Sequence, residues 1–466
     1  MRKVPPRLLF LSIATVVLHA VTASAQRQIA NGSALDLAVL LYYSAAGTLL
    51  ACYAAVIYTV GALSQRAWVL IIGVPLIVQI GWLLTLPVLA IDAYSYLVDA
   101  AHAYAGLSPY QHAVREAAGS ELGRVLTSYG WRPVHGVTPY GPVWLDLISI
   151  VGPFVSNVEA AVRLVKLIAF AATALTAWLV FRMTPESARV RAFTMFWWNP
   201  AVIIEAAGEG HNDAIMVLAV VLSLWCLRRT AVVAAAVALT AAVLTKWIPA
   251  LFGVSYLIYA WRNGLLTWRT VIAAGSAIVA LGVAAYWPLW AGADSFLGIR
   301  TIGGPRFVAS TTGSLVRVLA EHPTAYSVLR ASAASAMAIA MIYAAATTRT
   351  MSGLIAACGT IIIVYVLVSP VFWAWYVLLP IALLSLADAV PLTIILTVTS
   401  RIVAPLDLIR LRGGLSWTTE VWLTTVIALW LPLAYIVWRT PRSWLHVTIG
   451  HSQSAVTATG PSFRQS

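Results

Sequence analysis

Apolar runs long enough to cross a bilayer as single helices recur from Leu8 to Trp438, with no long polar domain between them. In lipid every backbone N–H and C=O must be satisfied internally, and long runs without alternation do this as helices. Candidate segments fall at 8–26, 35–61, 68–90, 158–183, 190–206, 213–228, 231–246, 247–262, 270–292, 326–347, 353–369, 374–388, 389–405 and 418–438, several of them shorter than a full span. Of the residues, 61% are hydrophobic and 10% charged, against roughly 45–50% and 25% in ordinary soluble domains. A soluble globular enzyme is excluded. The expected class is an all-α polytopic membrane protein, a bundle of about 13–14 transmembrane helices with a long outer loop.

The net charge is +13. In a soluble chain that excess would suggest nucleic acid, but here the basic residues sit mainly in short connections between apolar segments. They indicate a positive-inside topology in contact with membrane lipids, and no nucleic-acid partner is expected. Cys52, Cys226 and Cys358 lie within apolar stretches and form no C-x-x-C pair, which argues against a disulfide framework or zinc site. Arg2, Lys3 and Arg7 precede an apolar core ending in Ala23-Ser24-Ala25, a pattern shared by a retained anchor helix and a cleaved secretory signal.

With a cytoplasmic N-terminus, Arg66, Arg182, Arg189, Arg191, Arg228, Arg229, Arg262, Arg269, Arg349, Arg439 and Arg442 all fall on the cytoplasmic side. This requires 92–157 to stay outside, with the apolar run Val143 to Val155 lying along the interface or dipping in and returning. The chain then divides into three N-terminal helices at 1–90, an outer loop at 91–157, a transmembrane bundle at 158–438 with a further outer loop at 291–325, and a polar cytoplasmic tail at 439–466.

Only 16 residues are acidic. Asp92, Asp99, Glu116 and Glu121 lie in the long loop, and Glu205, Glu209 and Asp213 around a tight outer turn. An unpaired carboxylate beside lipid costs a few kcal/mol, so each is a functional candidate. Asp92 follows the run Leu83 to Ile91 directly, as a site residue or as a helix cap. The second segment crowds four polar groups into Glu209-Gly210-His211-Asn212-Asp213 behind Gly208. Such a turn is either a binding site or a cap, with Asn212 or Asp213 starting the next helix and His211 at the interface. Zinc spacing is absent, and no cofactor is expected; the one metal reading is a weak divalent cation at Asp213 with Glu209.

Lys246 sits between two apolar segments with no acid beside it in sequence, so it either snorkels to headgroups or meets an anion such as a phosphate. Arg300 and Arg306 could assist it from the 291–325 loop; Arg317 and His322 have no assigned role. Trp287, Trp290, Trp422 and Trp430 are explained as interfacial belt residues. The cluster Phe372-Trp373-Ala374-Trp375-Tyr376 is denser than a belt needs and offers aromatic faces to a sugar or isoprenoid.

These features come in a definite order. Asp92 follows an early span, the outer loop closes with Thr138-Pro139-Tyr140-Gly141-Pro142, and Asn199-Pro200, Glu205 and Gly210-His211-Asn212-Asp213-Ala214 come next. Thr245-Lys246-Trp247-Ile248-Pro249 and Trp373-Ala374-Trp375-Tyr376 complete the set. It resembles the GT-C glycosyltransferases, and most of all the bacterial polyprenol-phosphate-mannose-dependent α-1,6-mannosyltransferase-like group. The likeness spans roughly Asp92 to Tyr376, with Asn199 to Ala214 its most specific part. In the simplest GT-C plan the acidic loop follows the first span; here it follows the third.

The resemblance implies a hexosyltransferase in the cell membrane. It would move one sugar, mannose first, from a polyprenyl-phosphate donor to a hydroxyl of a glycan or glycolipid acceptor, with inversion, on the extracytoplasmic side. Asp92 would be the general base, with Asp213 the alternative. Lys246, Arg300 and Arg306 would hold the phosphate. Glu205, Glu209, His211, Asn212, Asp213, Tyr140, Trp373, Trp375 and Tyr376 would line the substrate site. Two competing readings are a GT-C enzyme for arabinose or glucose, and a transporter of lipid-linked sugars. The second predicts internal repeats, and the chain has no halves of matching pattern.

Overall fold

The computed structural model describes residues 5–60, 65–133, 136–297, 322–369 and 372–439, and among these every regular element is a helix. The protein is an all-α polytopic membrane protein. Three antiparallel helices open it: α1 (Pro6–Asn31), α2 (Leu35–Thr59) and α3 (Gln65–Leu83). The polar residues on the buried face of α1 do not break it, because Ser12, Thr15 and Thr22 donate to carbonyls four residues back, at 2.7–2.8 Å. The segment that fits either an anchor or a signal is therefore a packed member of the bundle, against α2 and α3.

The segment expected to form the outer loop is a small folded unit. It contains α4 (Asp92–Tyr104), a 3-10 turn at Val114–Gly119, α5 (Glu121–Ser128) and α6 (Pro142–Ser149). Tyr96, Leu97, Leu126, Trp131, Trp144 and Ile148 form its core, sealed against Val158, Val162 and Val165 of α7 (Val158–Met183). The apolar run Val143 to Val155 is thus an eight-residue helix and a short 3-10 turn, too short to cross a bilayer.

Beyond α7 run α8 (Glu186–Trp197) and α9 (Pro200–Ile203), which passes through a π-turn at Ile204–Gly208 and bends by 119° into α10 (Asp213–Arg228). Then come α11 (Val232–Thr245), α12 (Gly253–Arg262), α13 (Trp268–Tyr286), α14 (Pro323–Thr347) and α15 (Met351–Val368). The last are α16 (Leu378–Leu386), α17 (Val390–Val403), α18 (Leu406–Leu411), α19 (Trp417–Thr425) and α20 (Leu431–Arg439). Among the described residues seven helices are individually long and apolar enough to span a membrane, or eight with the bent pair. The apolar runs counted in the sequence exceed that number because several fold as shorter pieces. Pro249 breaks the run at 247–262 into a 3-10 turn and α12, and glycines break the α9–α10 pair.

Two ends of the bundle differ in character. At one, Arg191 pairs with Asp388 (Nε to Oδ1 2.7 Å), Arg228 donates to the Met183 carbonyl, and Arg262 donates to the carbonyls of Ala345 and Ala346 at 3.0 and 3.1 Å. Arg228 and Arg262 thereby close helix C-termini, where cations meet unpaired carbonyls. The acidic segments gather at the other end. Trp287, Trp290, Trp422 and Trp430 are all exposed, as belt residues would be.

Candidate active site

The linker at 84–91 leaves α3 and carries Pro87, so it cannot continue the helix. It delivers Asp92 to the first turn of α4. The N-cap is Ile91, so Asp92 is not used as a cap. Its Oδ2 accepts a long hydrogen bond from the Tyr140 hydroxyl (3.5 Å) and lies 3.7 Å from His211 Nδ1. Tyr140 is held in turn by its neighbour. Gly141 N donates to the Thr245 carbonyl at 3.1 Å, and a Cβ on Gly141 would stand 2.1 Å from the Leu244 oxygen, so the segment docks on α11 only with glycine there. The next residue after Thr245 is Lys246. The end of the outer loop and the end of α11 thus bring Asp92 and Lys246 to one site.

Lys246 Nζ bonds Asp213 Oδ2 at 2.8 Å and lies 4.8 Å from the centre of the Tyr376 ring. The acid that Lys246 lacks in its sequence neighbourhood comes from 33 residues away, across the bundle. His211 stands between two carboxylates, with Nε2 3.1 Å from Glu205 Oε2, and stacks on Trp375 at 3.9 Å and 20°. Trp375 stacks on Trp373, ring planes 1° apart. Glu205 is paired on its other oxygen with Arg401 of α17, the lone charge in the apolar run 389–405, whose isolation there is the signal that marks it and whose partner the sequence does not show.

Glu209 points another way. Its Oε2 accepts from the backbone N–H groups of Leu89 and Ala90, at 3.2 and 3.1 Å. Asn212 occupies the N-cap of α10 but makes no capping bond with its side chain. Fully buried, its amide has no hydrogen-bond partner among the described residues. Of the charged members, Asp92 (8% exposed) and Lys246 (9%) are the most open; Glu205, Glu209, His211 and Asp213 are at 2% or below. Those two are therefore the charges best placed to meet a ligand. Arg300 and Arg306 lie outside the described residues.

Asn199 of the Trp-Asn-Pro run has a structural part that its sequence context only hints at. Its Oδ1 caps α9 through the N–H groups of Ala201 and Val202 (2.9 and 3.3 Å), while Nδ2 donates to Tyr53 and Thr397 hydroxyls at 2.9 and 2.8 Å. It ties α2, α9 and α17 together six residues before Glu205. Asp99, on α4, is also buried, and burial pushes its carboxyl up to about 8, with the Thr138 hydroxyl pulling it down. Among the described residues no three His, Cys, Asp or Glu side chains are grouped as a metal site.

A family model described as alpha-(1->6)-mannopyranosyltransferase, N-terminal domain, matches residues 10–263. That stretch holds every charged residue of the cluster except Arg401. The alpha-(1->6)-mannopyranosyltransferase A of Corynebacterium glutamicum is 32% identical over 137 residues, 28% of this chain and 26% of that protein. An alpha-(1->6)-mannopyranosyltransferase of Mycobacterium tuberculosis is 32% identical over 148 residues, 29% of this chain and 24% of its own length. The alpha-(1->6)-mannopyranosyltransferase A of the same organism is 28% identical over 231 residues, 47% and 43% of the two chains. The chain spans less than half the length of each curated relative it matches. With the family model running over more than half of its residues, the chain belongs to the alpha-(1->6)-mannopyranosyltransferase family.

Proposed function

We propose that the protein transfers one mannose from a polyprenyl-phosphate donor to a hydroxyl of a glycan or glycolipid acceptor, with inversion at the anomeric carbon. The observation that carries this reading is the meeting of a carboxylate, Asp92, with an ammonium, Lys246, the two least buried charges of the cluster, through the contact of Gly141 with Thr245. Asp92 takes the proton of the acceptor hydroxyl as its oxygen attacks the anomeric carbon, and the bond from that carbon to the phosphate oxygen breaks with its electron pair. A phosphate is a good leaving group, so no general acid is needed. Lys246 stabilises the charge that grows on it, with Arg300 and Arg306 as further phosphate ligands.

The other members bind and shape. The unpartnered amide of Asn212 suits sugar hydroxyls, and the Trp373–Trp375 stack, backed by His211, offers a flat aromatic face to a pyranose. On α13 an apolar groove of about 670 Å³, lined by Gly275, Val279, Val283 and Trp287 among others, offers an isoprenoid chain a wall within the bilayer. The arginines at the other end of the bundle support, by positive-inside orientation, a site on the extracytoplasmic side. The enzyme requires no cofactor in this scheme.

Purified wild type and Asp92→Asn, given radiolabelled polyprenyl-phosphate mannose and a short α-mannoside in detergent, test the reading. Product from wild type alone supports donor, reaction and base together. Equal product from both removes Asp92 from the base role, and wild type that binds no donor overturns the donor class.

A further inference from the structure

We propose that Glu209 and Lys166 are positioning residues that hold the 84–91 linker and thereby set where Asp92 stands; the inference rests on Asp92 being the base. After the last turn of α3, where the Leu84 and Thr85 N–H groups donate to the Ile80 and Trp82 carbonyls, the linker runs without regular structure through Pro87, and four of its backbone polar groups are partnered by side chains from outside it. Lys166 Nζ, on a fully buried side chain of α7, donates to the carbonyls of Trp82 (2.7 Å) and Thr85. Tyr94 donates its hydroxyl to the Pro87 carbonyl at 3.1 Å. Glu209 Oε2 receives the Leu89 and Ala90 N–H groups, two residues from Asp92. Two charged side chains of opposite sign therefore clamp the two halves of one short segment.

Among the described residues, the hydrogen bonds of Lys166 Nζ and of the Glu209 carboxylate go to the backbone of this segment and of the α3 end that leads into it. Buried charges are costly, and apolar side chains would fill the same space more cheaply, so their partners define what they do. The backbone around them is adapted to the clamp. Gly210 has φ +78°, and a Cβ there would come within 3.0 Å of Lys166 Cγ, so the turn approaches the lysine only with glycine. A general base must be held to a fraction of an ångström, and a linker without regular structure does not do that alone.

Glu209→Ala and Glu209→Gln, purified beside wild type and Asp92→Asn, are read by hydrogen exchange over 84–91 and by mannosyl-transfer rates resolved into kcat and donor KM. In Glu209→Ala the amides of Leu89 and Ala90 should exchange roughly tenfold faster or more, and kcat should fall roughly ten- to hundredfold with donor KM within about threefold. Glu209→Gln keeps an acceptor oxygen and should stay within about threefold of wild type in both readouts. Unchanged exchange at Leu89 and Ala90 in Glu209→Ala, or a glutamine variant as impaired as the alanine one, overturns the proposal. If Glu209→Ala does not survive purification, Lys166→Met is read the same way at Thr85 to Val88: faster exchange with lowered kcat supports the clamp, and unchanged exchange overturns it. An Asp92→Asn enzyme that turns over like wild type removes the base assignment instead, while the exchange result still decides whether Glu209 holds the linker.

Discussion

Lys246 and Asp213 stand 33 residues apart in sequence and 2.8 Å apart in space, buried together under the ring of Tyr376. Taking one member away from such a pair leaves the other as an uncompensated charge, at a cost of roughly 3–5 kcal/mol, whereas replacing both with apolar groups is often neutral. Lys246→Met should lower the unfolding temperature clearly, and Lys246→Met with Asp213→Leu should recover most of that loss. If Lys246 also holds the donor phosphate, the double variant regains stability without regaining donor affinity. Donor affinity that returns with stability would return Lys246 to a purely structural part.

Asn199 makes a prediction of the opposite kind, in which stability moves first. Asn199→Ala removes a helix cap, worth about 1 kcal/mol, and the donor that meets the buried hydroxyls of Tyr53 and Thr397, which keep their own bonds to the Met195 and Thr393 carbonyls, at a further cost of roughly 1 kcal/mol or more. A loss of roughly 2–4 kcal/mol in unfolding free energy is expected. Asn199→Ser, which keeps a capping oxygen but has no amide to reach the Tyr53 and Thr397 hydroxyls, separates the two terms by thermal unfolding in detergent. It should recover only the cap.

Asp99 links the outer unit to pH. Its carboxyl shifts from an ordinary 3.8 to about 8 on burial, so the native chain keeps a proton that the unfolded chain releases. The stabilisation this gives is complete below about pH 4 and is lost as pH rises through about 8. Thermal unfolding of wild type and Asp99→Asn between about pH 5 and pH 8 checks the sign, because the other groups cancel in the difference. Wild type should lose ground to Asp99→Asn steadily as pH rises. A constant offset across that range would mean that Asp99 is already ionised in the folded protein.

The sequence carried the class of fold and the order of the site segments, because apolar length and the clustering of scarce acids are local properties. Asp92, Tyr140, His211, Asp213, Lys246 and Trp375 do converge. Long-range partners were not legible. Arg401 meets Glu205 across 196 residues, and nothing in the apolar run Val390–Val403 marks one arginine as that partner. Glu209 sits beside His211 in sequence, but the π-turn and the left-handed Gly210 send the two side chains to different segments. Apolar runs also outnumber the helices long enough to span among the described residues, since hydropathy registers the 3-10 turn and short helix at 247–262 as it registers a full crossing.

Gly141 tests the geometry of the whole site with one methyl group. A Cβ at this position would stand 2.1 Å from the Leu244 oxygen, a backbone atom that cannot swing aside, so Gly141→Ala must push the outer loop off the end of α11. Tyr140, which bonds Asp92, travels with the loop, and Lys246 stays with α11, so the frame that brings the two charges to one site is broken. Displacing reacting groups by about 1 Å costs on the order of a hundredfold in rate. Gly282→Ala on α13, where nothing lies within 4 Å, controls for the effect of a methyl in a helix and should leave transfer unchanged. Gly141→Ala should therefore lose roughly a hundredfold in kcat while remaining folded. Transfer at the wild-type rate in Gly141→Ala would mean that Asp92 and Lys246 do not act on the same substrate molecule.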